Sequence, residues 1–133
     1  MSKRLLPVLF ATALFFACDA ALAVECLKAE VENQRAEGRL QRVRFTDVDY
    51  GNRVEVAFIL NLAKPACLEG EDEYDKIDST LKIHVFSMDK AIDHGLRSNI
   101  GRRIRVLGWP FGEHTAHHRA PIVMRVTAVE ALP

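Results

Sequence analysis

The stretch GEHTAHHRAP, Gly112 to Pro121, sets His114, His117 and His118 within five residues of a chain that has five histidines in all. Neutral imidazole is a good ligand for Zn or Cu, and three of them this close invite a shared ion. His114 and His117, three apart, can face one ion in a turn. His117 and His118 diverge if the backbone there is extended, so they do not pair as easily. Closing a tetrahedral site would need Glu113 or a side chain from another strand. The same imidazoles have two other uses. They can contact a bound ligand, or pack under the loop and fix its turn into the next strand, with the Thr115 hydroxyl capping that turn.

Aromatic and cationic side chains lie close by. Trp109, the single tryptophan of the chain, and Phe111 precede the histidines. An exposed Trp beside imidazoles can stack on a sugar or anchor a protein partner, or it can close the end of the fold. Arg103 and Arg105 join Arg42, Arg44, Arg53 and Arg125 on the expected outward sides of strands. Arginine suits carboxylate, phosphate or planar partners. Its alternative role is pairing across strands with Glu55 and the acidic segment.

The elements that must hold these residues follow from hydropathy. RLQRVRFTDVDY and RVEVAFILNL flank Tyr50-Gly51-Asn52 and read as a long hairpin, with Val54, Val56, Phe58 and Leu60 inward and Arg53 and Glu55 outward. Lys64-Pro65 is expected to end the second strand. STLKIHVFS alternates Leu81, Ile83 and Val85 against Lys82, His84 and Phe86. MDKAIDHGLRSNI has helical spacing broken by Gly95. GRRIRVLGW and PIVMRVTAVEAL give two more strands, with Ile104, Val106, Ile122, Met124 and Val126 inward. Residues 25–38 are polar and read as an extended lead-in or a short helical turn. Glu69–Asp78, dense in acids, lacks the spacing of a calcium loop and reads as solvated.

Five short strands with one apolar face each need closure to bury it. The expected fold class is therefore all-β, a small barrel with one short helix. A helix between the third and fourth strands is the layout of the five-stranded oligonucleotide/oligosaccharide-binding (OB) barrel. An SH3-like barrel or a small sandwich is the alternative.

The N-terminus sets the expected address. Lys3-Arg4, the apolar run Leu5–Ala17 and small residues at Ala21 and Ala23 have the order of a secretory signal peptide, cleaved after Ala23. An uncleaved anchor and lipidation at Cys18 are the other readings. The latter is disfavoured because FFAC lacks the usual aliphatic residue. Cleavage leaves 110 residues, 24–133, as one domain in the periplasm or outside the cell. With Cys18 gone, Cys26 and Cys67 have only each other for a disulfide in an oxidising compartment. Without Lys3, Arg4 and Asp19, 16 basic residues meet 17 acidic ones, a balance that argues against a nucleic-acid partner. No phosphate loop, Gly-x-Ser-x-Gly or other enzyme signature is present, so no catalytic residue is assigned.

VEVAFILNLAKPAC, IGRRIRVLGW and HTAHHRAPIVMRV together resemble an uncharacterised family of small exported bacterial proteins. The best-matching element is Thr-Ala-His-His-x-x-Pro, Thr115 to Pro121, and the resemblance covers most of residues 38–130. It implies a cell-envelope protein with one barrel domain and no assigned activity. The expected function is a binding module for an envelope protein or glycan, of which an inhibitor or immunity protein is one concrete form. Trp109, Phe111, His114, His117, His118, Arg103 and Arg105 are its candidate contacts. The alternative is a metal-binding protein holding Zn or Cu through His114 and His117.

Overall fold

The computed structural model describes residues 25–133. The expected signal peptide and Cys18 lie outside the described residues. Strands β1 (Leu27–Lys28), β2 (Gln34–Asp47), β3 (Arg53–Glu69) and β4 (Ile77–Phe86) are followed by helix α1 (Lys90–Ser98) and strands β5 (Arg103–Gly112) and β6 (Ile122–Ala131). A 3-10 turn, Glu73–Asp75, precedes β4. Five strands close into a ring: β2 pairs with β3, β3 with β4, β4 with β6, β6 with β5, and β5 back with β2. Only β4–β6 is parallel within that ring. Third and fifth barrel strands side by side, with the helix between third and fourth, is OB order rather than a two-sheet sandwich.

The ring encloses Leu40, Leu60, Ile83, Val85, Ile104, Val106, Ile122 and Met124, all fully buried. Leu96 of α1 joins the same core. The helix starts where Asp89 accepts hydrogen bonds from the amides of Ala91 (2.8 Å) and Ile92 (3.1 Å). It ends before Gly101, whose φ of +82° is open to glycine at no steric cost.

Several expectations change. Gln34–Gly38 is strand, because β2 must reach β5 to close the ring. β3 runs past Pro65 to Glu69. Its register on β4 shifts between Asn61 and Ala66, and the proline sits in that irregular stretch where no ladder amide is needed. The hairpin is longer than the barrel wall. Beyond Leu40 the inward face of β2–β3 leaves the core, so Val54 and Val56 are 50% and 42% exposed rather than inside. Leu81 is also exposed, at 51%. The acidic segment is not wholly solvated: Asp75 is 2% exposed and accepts the Gly112 amide at 2.7 Å. Cys26 and Cys67 form a disulfide that fixes β1 beside the end of β3.

Candidate functional site

The outward face of β4, β6 and β5 is aromatic. Phe86, Trp109, Phe111 and Arg125 alternate with buried Val85, Pro110 and Met124 and so point away from the barrel. They border a depression of about 300 Å³ completed by Met88, His114 and Glu30. Glu30 is carried there by the chain after β1, whose amide donates to Pro110 O at 2.9 Å. Phe86 and Phe111 meet edge to face at 6.4 Å, Phe111 contacts His114 at 5.5 Å, and Arg125 lies over the indole at 5.7 Å. Met88 is 79% exposed at the rim. The indole Nε1–H is shut off from solvent and has no acceptor among the described residues.

The loop after β5 divides the histidines. His114 stays with the aromatic face: its Nδ1–H donates to Gly112 O at 3.0 Å and its ring lies 5.0 Å from Tyr74. His118 packs on Phe111 and His114 at 5.3 and 4.9 Å, and its Nδ1 accepts the His114 amide at 3.1 Å. His117 leaves for the β2–β3 hairpin, where Nδ1 lies 2.7 Å from Glu55 Oε1. His114 and His117 therefore serve different surfaces. Arg119 anchors the loop, donating to Glu55 Oε2 at 2.9 Å and lying over the Phe45 ring at 4.8 Å. Ala120 is buried against Ala57 and Ile59, so the loop covers the outer side of the hairpin base.

Arg103 and Arg105 sit at the far end of β5 from Trp109. Arg105 is held by Glu37 at 2.7 Å and Glu130 at 3.1 Å, and Arg103 approaches Glu37 at 3.7 Å. Hydrogen bonding from Arg105 keeps the Glu37 carboxyl below its usual range. These partners differ from the Glu55 and acidic segment anticipated from sequence. A larger hollow of about 410 Å³ beside the disulfide is lined by Leu27, Leu62 and Pro65, with this ion-paired rim. Glu25, Arg35 and Lys64 complete its lining.

Phe86 and Met88 were not foreseen as site residues, yet Phe86 left a signal. It is the one large apolar side chain on the polar side of β4. His84, next to it on the same face, is held neutral. Burial, then the neighbouring His118 and Arg119, push its pKa down to about 4. Its Nδ1 accepts the Arg119 amide at 3.2 Å, which requires that nitrogen to be unprotonated. Burial, then His114 and His117, lower His118 too.

The sign of the pH effect follows. Below the ordinary histidine value of about 6.5 the unfolded chain takes up a proton that folded His84 refuses until about 4. The stability His84 contributes is therefore complete above about 6.5 and drains away as pH falls toward 4. With its partial exposure discounted, the loss is about 1–2 kcal/mol, or roughly 5–10 °C in Tm. Melting curves between these limits should show the slope, and His84→Asn, whose Oδ1 replaces Nδ1 as acceptor, should flatten it. An unchanged slope in that variant would remove His84 from the account.

No curated protein matches the chain. Residues 82–130, which carry β4 from Lys82 onward, the helix, β5, the histidine loop and β6 to Glu130, are similar to a domain of unknown function (DUF4431), an uncharacterised family of the kind the sequence resemblance implied.

Proposed function

We propose that this chain is a binding module of the bacterial cell envelope, exported by its N-terminal signal, that holds a protein or glycan in the depression beside Trp109. The observation that carries the reading is the grouping of Trp109, Phe111 and Phe86 around a hollow whose rim residue, Met88, is 79% exposed. Half-buried rings grouped around an open hollow are the usual lining of a ligand site. The indole and phenyl rings supply area for a sugar face or an apolar side chain, and the flexible thioether adapts to either. Glu30 and Arg125 place one charge of each sign at the edge to orient the ligand. The apolar run after Lys3-Arg4 and the Cys26–Cys67 disulfide support an oxidising compartment. Arg103 and Arg105 are spent on Glu37 and Glu130, so the ligand set narrows to Trp109, Phe111 and His114, with His118 packed behind them.

The test uses the single tryptophan as its own reporter. Soluble peptidoglycan fragments and a detergent extract of envelope proteins are offered to immobilised protein. The captured species is then titrated against the native protein while indole emission is followed. Capture should come with a saturable emission change, and Trp109→Ala and Phe111→Ala should each weaken capture at least about tenfold while retaining the folded circular-dichroism spectrum. Equal capture by folded Trp109→Ala protein would move the site elsewhere.

A further inference from the structure

The geometry points to a divalent metal site of the zinc class, formed by Asp47, Glu55 and His117 where the histidine loop lies on the β2–β3 hairpin. This site is separate from the aromatic depression and does not depend on it.

The register brings the two carboxylates together. Asp47 pairs with Arg53 and Phe45 with Glu55, so Asp47 and Glu55 are diagonal neighbours on one face of the hairpin. The loop is pinned onto that face by Arg119 and Ala120, and this delivers His117 to Glu55. One ligand atom from each of the three side chains lies within 4.8 Å of the other two. Donors on one tetrahedral zinc ion, each about 2.0–2.2 Å away, stand about 3.4 Å apart, so closing the set takes side-chain movements of up to about 1 Å, within reach of the exposed His117 ring.

A second observation comes from Asp47 itself. It is only 9% exposed, and no cation pairs with it among the described residues. Its Oδ1 accepts the Asp49 amide at 3.1 Å, and Oδ2 is not among the buried atoms left without a partner, so what exposure the carboxylate keeps is on that side. A carboxylate this buried is costly without a positive partner. Glu55 and His117 stand on the open side of it, and a dication there supplies the missing charge.

One imidazole nitrogen with two carboxylate oxygens selects zinc-like ions over calcium or magnesium, which prefer oxygen alone. Arg119 holds the other oxygen of Glu55 at 2.9 Å, orienting the carboxylate as outer partners of metal ligands do. With two carboxylates and one guanidinium, the set carries a net negative charge that a dication offsets. The ion would tie the hairpin to the loop.

Calorimetric titration of Zn(II) into metal-stripped protein should give one ion per chain and a higher melting temperature. His117→Ala and Asp47→Asn should each weaken binding at least about tenfold, since losing an outer-shell partner alone costs that much. His94→Ala, on the exposed face of α1, should not change it. Should Asp47→Asn loosen the hairpin, the unaltered protein still locates the ion: Zn(II) should shift the amide resonances around Asp47, Glu55 and His117 first. Absence of binding at millimolar zinc, binding that survives His117→Ala, or shifts centred on His114 and His118 would each overturn the assignment.

Discussion

Serine in place of Cys26 or Cys67 should lower the unfolding free energy by about 4 kcal/mol, the chain-entropy value for a closed loop spanning a separation of 41 residues. The bond joins the start of the described chain to the end of β3, and β1 has only a two-residue parallel pairing there, Leu27 with Leu68 and Lys28 with Glu69. So short a strand does not hold itself in place once the loop can open. Leu27 and Ala29 pack on the core, so their release exposes apolar surface as well. Glu30, which donates its amide to Pro110 and borders the depression, is carried on the same segment. Reduction should therefore weaken ligand capture before the barrel itself unfolds. Urea unfolding with and without reductant, read beside indole emission, checks both parts. A loss under about 1 kcal/mol would mean that β1 docks without the covalent tie.

The fold was largely legible because alternation and turn chemistry agree along most of the barrel. Ile83 and Val85, Ile104 and Val106, and Ile122, Met124 and Val126 all point inward as their period demands. Alternation fails at Leu81 where the β3–β4 register breaks between Lys82 and Thr80, and at Val54 and Val56 for one reason. A period of two says which side a residue faces, but not how far the opposite wall extends, and the hairpin outruns the ring. The polarity of Gln34–Gly38 hid a strand, since Ala36 and Gly38 face the core with little side chain to show for it. The site was half legible. Trp109, Phe111 and His114 were marked by residue type, whereas Met88 became a rim residue only because the helix begins after Asp89. The parting of His114 from His117 could not be read locally. It depends on Arg119 finding Glu55, 64 residues away, and on Ala120 finding Ile59. Such pairings are fixed by closure of the barrel, not by spacing within the loop.

Closure also makes one glycine decisive. Gly112→Ala should cost about 3 kcal/mol, at the upper end for added volume in a packed interior. The methyl would overlap the carbonyl of Tyr74, a backbone group that cannot rotate aside, so the Glu73–Asp75 turn would have to lift. That turn carries Asp75, whose buried carboxylate accepts the Gly112 amide at 2.7 Å. Asp75→Ala alone should cost about 2–3 kcal/mol, because it strands a buried N–H at the end of β5. Both changes break one joint, so the double variant should lose clearly less than the two losses added together. Urea unfolding of the three proteins measures this. Strict additivity, or a Gly112→Ala loss under about 0.5 kcal/mol, would show that the turn yields freely. The joint also reaches the aromatic site. His114 donates to the Gly112 carbonyl and stacks on Tyr74, so a lifted turn carries the imidazole away from Phe111 and opens one wall of the depression. Gly112→Ala should thus weaken ligand capture under conditions where the protein is still folded. Glu55 of the proposed metal group is held by Arg119 on the opposite side of the loop, so zinc affinity should not change.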